Sequence, residues 1–495
     1  MPVIRYIAIS LLLLVTNHMV AKPTLIQGNA FSYRGQELEI HRYLDLFTFA
    51  TEKLDSIKIP QDGNFKLTVE VKETDLFVIK IGKVHAHLFV EPGDQYTLVM
   101  PEPLEMDRFN PAKDVFVQPE VFEANFRLNY HITELEKAIN DFFISGTSSS
   151  YELRAGGNLR QRADTIFPKI KKEFSSVESP YFQTYMHFRF AEAELATRHS
   201  RKSVFENYFQ KELAAVRQLS FANAFGLMFN DYMSPKSTLK FSDSLEIAIS
   251  FGQYQTIQEL LKTDWMLERQ DFRDLVMVTE LHELGSEKRY PLSTILDLLD
   301  QCIATSKTEG VVQVAKDSRK SLLKLAPGTR APEFIFADVL GNLSRISDFE
   351  GRYIYIQFFK TFDSETMRQM SMMKVLKEGY GADIAMFSFS TSESLRRLDE
   401  IPSKHDFDWY FGKVGHPDRV IDDYDLRAMP QYFYFDKTLN IICNPTPPPG
   451  DRIERMFAKI WNEEHPNKPL LFKLQPPEIS EEEMGELKQS DPTPP

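Results

Sequence analysis

The chain has 495 residues, 42% of them hydrophobic and 26% charged, with a formal net charge of −13. Ordinary hydrophobic content over that length supports several cores and excludes wholesale disorder. The acidic balance argues against a nucleic-acid protein, whose surface must neutralise phosphates. Two cysteines exclude a cysteine-built zinc module or a dense disulfide scaffold.

Arg5 precedes an apolar run from Ile7 to Val15, interrupted only by Ser10. A polar step at Thr16-Asn17-His18 and the small Ala21 follow, the pattern of a secretory signal over residues 1–21. The run is short for a membrane span, and an uncleaved anchor is the alternative. No cysteine lies near Ala21, so lipid attachment there is not available. No other segment approaches 18 apolar residues. The expectation is an exported chain of the periplasm or cell envelope with no membrane span once mature.

Residues 24–120 show short alternating runs separated by turn chemistry. Strands are expected at Glu37–Tyr43, Asp55–Ile59, Phe65–Val71, Leu76–Ile81, His85–Val90 and Tyr96–Met100. Turns fall at Pro60-Gln61-Asp62-Gly63-Asn64 and Glu91-Pro92-Gly93-Asp94. This spacing predicts an antiparallel β-sandwich. His85 and His87 share one strand face, but no further ligand is close in sequence, so no metal is expected.

Over 121–325 the apolar period becomes helical. Helices are expected at Phe122–Phe143, from Pro180 through Leu195, and at Ser203–Leu219, Ser242–Leu261, Asp271–Leu284, Pro291–Thr305 and Val311–Leu325. Pro180 suits a first helical turn. Aromatics are dense between Tyr181 and Phe229 and either pack a helical core, the simpler reading, or line a ligand pocket. Cys302 sits on an apolar face as a small buried hydrophobe.

Residues 327–462 alternate strands and helices. Strands are expected at Pro332–Asp338, Tyr353–Phe359 and Ile384–Phe389, and a hairpin at Gln431–Phe435 and Leu439–Cys443. Helices are expected at Asp363–Tyr380, Glu393–Ile401 and Ile453–Trp461. A β-α-β half followed by a β-β-α half is the thioredoxin order. The group His405-Asp406-Phe407-Asp408 reads as a solvated loop rather than a metal site. Residues 463–495 hold eight Asp/Glu, three Lys and seven prolines, and are expected to be a tail, disordered from about Glu478.

Three pieces of this last region resemble thioredoxin-like envelope disulfide reductases of the TlpA/ResA type. They are Pro327-Gly328-Thr329-Arg330-Ala331-Pro332-Glu333-Phe334, the approach Leu343-Ser344 through Gly351-Arg352-Tyr353, and Met429-Pro430-Gln431-Tyr432-Phe433-Tyr434-Phe435-Asp436. The whole layout is similar to a group with a small β domain of the DUF4369 kind, a helical middle and a thioredoxin-like end. The resemblance implies a cis bond before Pro430 and a substrate groove beside it.

The departure lies at the active site. Where the family has Trp-Cys-x-x-Cys, this chain has Phe362-Asp363-Ser364-Glu365-Thr366, with Asp363 and Thr366 at the cysteine positions. Thiol exchange needs a thiolate nucleophile and a resolving thiol. Asp363 instead suits the cap of the following helix. The expectation is a binding or assembly factor for exported polypeptides, without cofactor, metal or catalytic residue. Its candidate groove is Phe362, Asp363, Thr366, Met429 and Pro430. The alternative is a residual oxidoreductase using Cys443, or a disulfide between Cys443 and Cys302.

Overall fold

The computed structural model describes residues 21–102, 114–123, 127–145, 157–210, 216–234, 242–450 and 452–467. The apolar run of the expected signal and the tail from Glu478 lie outside them. The described residues form two compact units, the first reaching Lys324 and the second beginning at Leu325.

Unit 1 opens with nine strands: β1 (Lys22–Asn29), β2 (Glu37–Tyr43), β3 (Thr51–Lys58), β4 (Asn64–Val71), β5 (Asp75–Ile81), β6 (Val84–Val90), β7 (Gln95–Val99), β8 (Val115–Val117) and β9 (Glu120–Glu123). They build two sheets, ordered β4-β1-β7-β9 and β3-β2-β5-β6-β8. The alternation in β4 turns Phe65, Leu67, Val69 and Val71 inward, where they meet Leu38, Ile40, Phe77 and Ile79 of the facing sheet. Most pairs are antiparallel, while β1–β7 and β6–β8 run parallel. Gly28 is required at the first of these, because a Cβ there would lie 2.0 Å from the Leu98 carbonyl oxygen.

The second sheet has two apolar faces. Tyr43, Leu76, Val78 and Phe89 point away from the sandwich and join one hydrophobic cluster with the helices. Those helices are α1 (Leu128–Ser145), α2 (Gly157–Glu173), α3 (Pro180–Ala196), α4 (Arg201–Val204), α5 (Leu219–Phe229), α6 (Ser242–Ser250), α7 (Tyr254–Lys262), α8 (Gln270–Ser286), α9 (Leu292–Thr305) and α10 (Glu309–Leu323). Pro180 takes the first turn of α3, and the Ser179 side chain accepts from the Phe182 N–H.

Three helical expectations change. Phe122 belongs to β9, opposite Thr97, because the sheet edge captures Glu120–Glu123 before α1 can begin. The segment from Ser203 is not one helix: α4, capped by Ser200, runs into a π-helical turn at Phe205–Phe209, and Leu219 opens α5. The helix expected from Ser242 breaks at Gly252, whose φ is +64°, into α6 and α7. The helix α5 is apolar nearly all round and buried on most positions, so it presents little helical period to read.

One buried acid gives unit 1 a pH signature. Glu280 of α8 is 4% exposed, and its Oε2 accepts from the Met233 N–H at 2.7 Å. Burial, with Glu283 and Asp231 adding repulsion, pushes its carboxyl from 4.5 up to about 8. The unfolded chain therefore releases this proton first, and stability falls as pH rises from 4.5 to about 8. Glu280→Gln is expected to melt closer to wild type at pH 5 and progressively above it toward pH 8, read by thermal unfolding across that range. A constant difference between the two proteins would refute the assignment.

Unit 2 is one seven-stranded sheet ordered β11-β10-β14-β13-β12-β15-β16. Its strands are β10 (Ile335–Asp338), β11 (Leu343–Arg345), β12 (Tyr353–Phe359), β13 (Ile384–Ser390), β14 (Tyr410–Val414), β15 (Gln431–Phe435) and β16 (Ile441–Cys443). Its helices are α11 (Ser364–Tyr380), α12 (Leu395–His405), α13 (Pro417–Asp423) and α14 (Ile453–Glu464). β12 and β13 run parallel and are joined by α11, while β15 adds antiparallel to β12 and β16 antiparallel to β15. This is a thioredoxin-like arrangement. β11, β14 and α13 were not foreseen.

Alternation along β12 sorts its two faces. Ile354, Ile356 and Phe358 share a core with Val420 and Ile421 of α13. On the other face Tyr355 packs with Met373 of α11 and Phe457 of α14, and Phe359 packs with Met370 of α11 and Leu398 of α12. Turn aspartates close the hairpins: Asp436 Oδ1 accepts from the N–H groups of Thr438 and Asn440, and Asp338 Oδ1 from those of Leu340 and Asn342.

Candidate functional site

The site is the rim where β12 ends and α11 begins. The chain leaves the sheet after Phe359 and reaches Asp363 with extended backbone, φ −80° and ψ 175°. Asp363 is the N-cap of α11, and its Oδ1 accepts from the Thr366 N–H at 2.8 Å. Thr366 lies in the first turn and is 1% exposed. The cap therefore satisfies a backbone donor that would otherwise be free at the helix start. Asp363→Ala is expected to cost about 1 kcal/mol of unit 2 stability and Asp363→Asn much less, measured by denaturant unfolding. Equal losses for the two would remove the cap as the cause.

Phe362 is half-buried against Phe359, with ring centroids 5.0 Å apart. Its N–H donates to Glu393 Oε1 at 3.1 Å, and the Arg397 guanidinium carbon lies 6.0 Å from its ring centroid. Glu393 is 5% exposed and also faces the Arg397 Nε at 3.4 Å. It thus ties the Phe362 loop to the start of α12. Sequence reading missed this carboxylate; its signal is the polar run Ser390-Thr391-Ser392-Glu393-Ser394 that begins on the last residue of a buried strand.

Met429 and Pro430 reach the same rim from the other side. Gln431 pairs with Phe358, so Pro430 stands beside the end of β12. The Met429–Pro430 peptide is cis. The Met429 Sδ accepts from the Thr391 hydroxyl at 3.7 Å. The structure therefore brings Phe362, Asp363 and Thr366 to one end of the sheet together with Met429 and Pro430.

Beneath the rim runs a buried polar chain. Trp409 Nε1 donates to Ser388 Oγ (3.0 Å), Ser388 Oγ to Gln357 Oε1 (2.9 Å), and Gln357 Nε2 to Tyr432 Oη (2.8 Å). Tyr432 Oη donates to Gln369 Oε1 (3.4 Å), and Gln369 Nε2 to Glu365 Oε1 (2.8 Å). Gln357 and Ser388 are both 0% exposed. Each donor is spent on the next acceptor, so the chain locks the first turns of α11 against the sheet and ends at the solvent-facing Glu365. Hydrogen bonds from Arg368 and Gln369 hold the Glu365 carboxyl down at about 2. The readable signal was a glutamine and a serine inside otherwise apolar strands.

Both cysteines are free thiols. Cys302, in unit 1, is 0% exposed, and burial pushes its thiol up to about 12. Cys443 of β16 stands opposite Tyr434, half-buried, near Thr446 Oγ1 at 3.7 Å and Met456 Sδ at 3.8 Å. Burial raises its thiol too, against the Thr446 hydroxyl, which favours the thiolate. The sheet order puts β16 two strands from β12, about 10 Å of sheet width. Cys443 is thus not brought to the Asp363 rim.

His85 lies 3.4 Å from Asp114 Oδ2, and His87 Nε2 pairs with the Tyr43 hydroxyl at 3.0 Å. Among the described residues no group of three or more His, Cys, Asp or Glu side chains is placed to hold a metal ion, and no helix is long and apolar enough to cross a membrane.

No family model matches the chain. A stretch of 114 residues, 23% of the chain, is 23% identical to the thiol-disulfide oxidoreductase ResA of Geobacillus kaustophilus (strain HTA426). The corresponding ResA of Geobacillus thermodenitrificans (strain NG80-2) is 22% identical over the same length. The match spans 65% of each of these relatives. Among solved structures, the thioredoxin domain of a thiol-disulfide oxidoreductase from Bacteroides vulgatus is 19% identical, covering 28% of this chain and 98% of that one, with a TM-score of 0.26. A thiol:disulfide interchange protein from Bacteroides sp. is also 19% identical, covering 28% and 93%, with a TM-score of 0.26. Over part of its length, this chain is similar to the thioredoxin-like thiol-disulfide oxidoreductases of the ResA type.

Proposed function

We propose that the protein is an exported thioredoxin-like factor of the cell envelope that binds polypeptides at the Phe362–Pro430 rim and performs no dithiol exchange. The observation that carries this reading is the Asp363 cap: a carboxylate bonded to the Thr366 N–H occupies the place where exchange would need a thiolate. Neither cysteine supplies a substitute, since burial disfavours both thiolates. A strand end beside a helix start, with Phe362 and Met429 as apolar side chains on its two sides, supports that reading. An extended peptide added there would gain main-chain hydrogen bonds.

The test is insulin-disulfide reduction with dithiothreitol, using the protein and its Cys302→Ser and Cys443→Ser variants. The expected result is no turnover above the reductant alone in any of them. Turnover abolished by Cys443→Ser would establish the second reading, an oxidoreductase working through the half-buried Cys443 and its Thr446 partner. For the binding half, a photo-crosslinking residue at Phe362 is expected to capture envelope polypeptides, and one at the far-edge Leu343 is not.

A further inference from the structure

Unit 2 leaves three large apolar side chains in solvent on one hairpin: Ile335 of β10 is 36% exposed, Leu340 of the turn 83% and Leu343 of β11 73%. Among its described residues only Val375 and Tyr410 join them as exposed large hydrophobics. β11 is the last strand of the sheet and has no neighbour on its outer side. A lone exposed leucine is ordinary, but three on one edge are not, because an apolar edge strand is a template for pairing with another chain.

Strand pairing fixes which charges stand with them. Ile335 lies opposite Arg345, Ala337 opposite Leu343, and Ala337 also opposite Lys413 of β14. Directly opposed residues share a face, and so do residues two apart on a strand. Ile335, Ala337, Leu343, Arg345 and Lys413 therefore lie on one face, which holds two cations and no carboxylate at these positions. Neither cation has an ion-pair partner among the described residues. Asp348 is spent on the Arg345 N–H at 2.7 Å, and Asp338 on the turn that it closes. The face is apolar and basic, and its complement is an acidic segment with apolar residues of its own.

The chain carries such a segment outside the described residues. Glu478-Ile479-Ser480-Glu481-Glu482-Glu483-Met484-Gly485-Glu486-Leu487 holds five glutamates, no base, and the apolar Ile479, Met484 and Leu487. It is also within reach. The end of α14 lies beside the first residue of β12, where the Tyr353 hydroxyl donates to Glu464 Oε1 at 3.5 Å. β11 stands four strands from β12, about 19 Å of sheet width. The twelve residues that follow Asn467 as far as Ile479 span up to about 40 Å when extended. We propose that residues 478–487 of the chain's own acidic tail dock on the β10–β11 face, with glutamates at Arg345 and Lys413 and apolar side chains over Ile335 and Leu343, and so shield the open edge.

The test is photo-crosslinking in the purified full-length protein, with benzoylphenylalanine in place of Leu343 or, as a control, of Val375 on α11, which is 68% exposed. Crosslinked peptides are mapped by mass spectrometry. The probe at Leu343 is expected to capture residues 478–487 of its own chain, with a yield unchanged on dilution, and the probe at Val375 is not. Glu481→Lys, Glu482→Lys and Glu483→Lys together alter no described residue and are expected to lower the yield at least about threefold. Adding Arg345→Glu and Lys413→Glu is expected to restore it. No tail crosslink from Leu343, equal capture from Val375, or a yield unmoved by the tail reversal would each overturn the proposal. So would a yield that falls with dilution, which would seat a second copy of the chain on this face. Should the five-site variant not fold, the tail reversal decides alone.

Discussion

Replacing Asp363 and Thr366 together by cysteine is expected to switch on dithiol exchange. Asp363 is the N-cap of α11 and Thr366 lies three residues on, a spacing that puts two Cα atoms within reach of a disulfide. A thiolate at 363 would accept the N–H that the carboxylate now accepts at 2.8 Å, and would lie at the positive end of a 17-residue helix. The partner thiol at 366 would be shielded, as Thr366 is now at 1% exposure, which suits a resolving cysteine. Insulin turbidity with dithiothreitol should then accelerate at least about tenfold over the reductant alone. Asp363→Cys alone should give little turnover, because a mixed disulfide would have no resolving partner. A folded double variant that stays at background would show that the rim no longer admits a polypeptide, and would count against the binding reading as well.

The largest loss of stability is expected at Phe358→Ala. Phe358 is 0% exposed, next to last in β12. Its ring lies 5.5 Å from Phe334, 5.0 Å from Tyr424 and 5.9 Å from Phe433, centroid to centroid. These rings come from four separate segments of unit 2, so the cavity left behind cannot close by one local shift. Truncation should cost about 3–5 kcal/mol, a large share of a typical domain's margin. Leu343→Ala, at 73% exposure on the edge strand, should stay within about 0.5 kcal/mol. Trp409 and Trp461 report on unit 2 once Trp265 of unit 1 is replaced by phenylalanine, so urea unfolding by fluorescence isolates the effect. A loss below about 1 kcal/mol would mean that the core repacks, against the geometry described.

Much of this was legible from residue order because strand alternation and turn chemistry are local. The run Glu37–Tyr43 is a strand over that span, and Tyr353–Phe359 and Gln431–Phe435 likewise. The cap at Asp363 was also legible, since a helix start needs only a short acceptor and the three residues after it. Where the period was diluted, reading failed. Leu219–Phe229 is apolar nearly all round, and β9 forms only because β7 offers an edge. The buried chain from Trp409 to Glu365 joins residues up to 75 positions apart, as between Gln357 and Tyr432, which no local pattern reveals.

By itself, then, the sequence determined the succession of a β region, a helical region and an α/β region, the thioredoxin-like arrangement of the last one and the presence of Asp363 and Thr366 at the start of its first helix. These depend on near neighbours and on residue identity. Tertiary structure decided what stands beside the site and what it can do. It brought Met429 and Pro430 to the end of β12, kept Cys443 two strands away, and gave Phe362 its Glu393 and Arg397 neighbours. It also gathered Phe47, Glu280 and Ser318 around one cavity from elements more than 200 residues apart in the chain, roughly. Side-chain convergence of that kind follows from packing three-dimensional faces together, and a one-dimensional pattern carries no record of which faces meet.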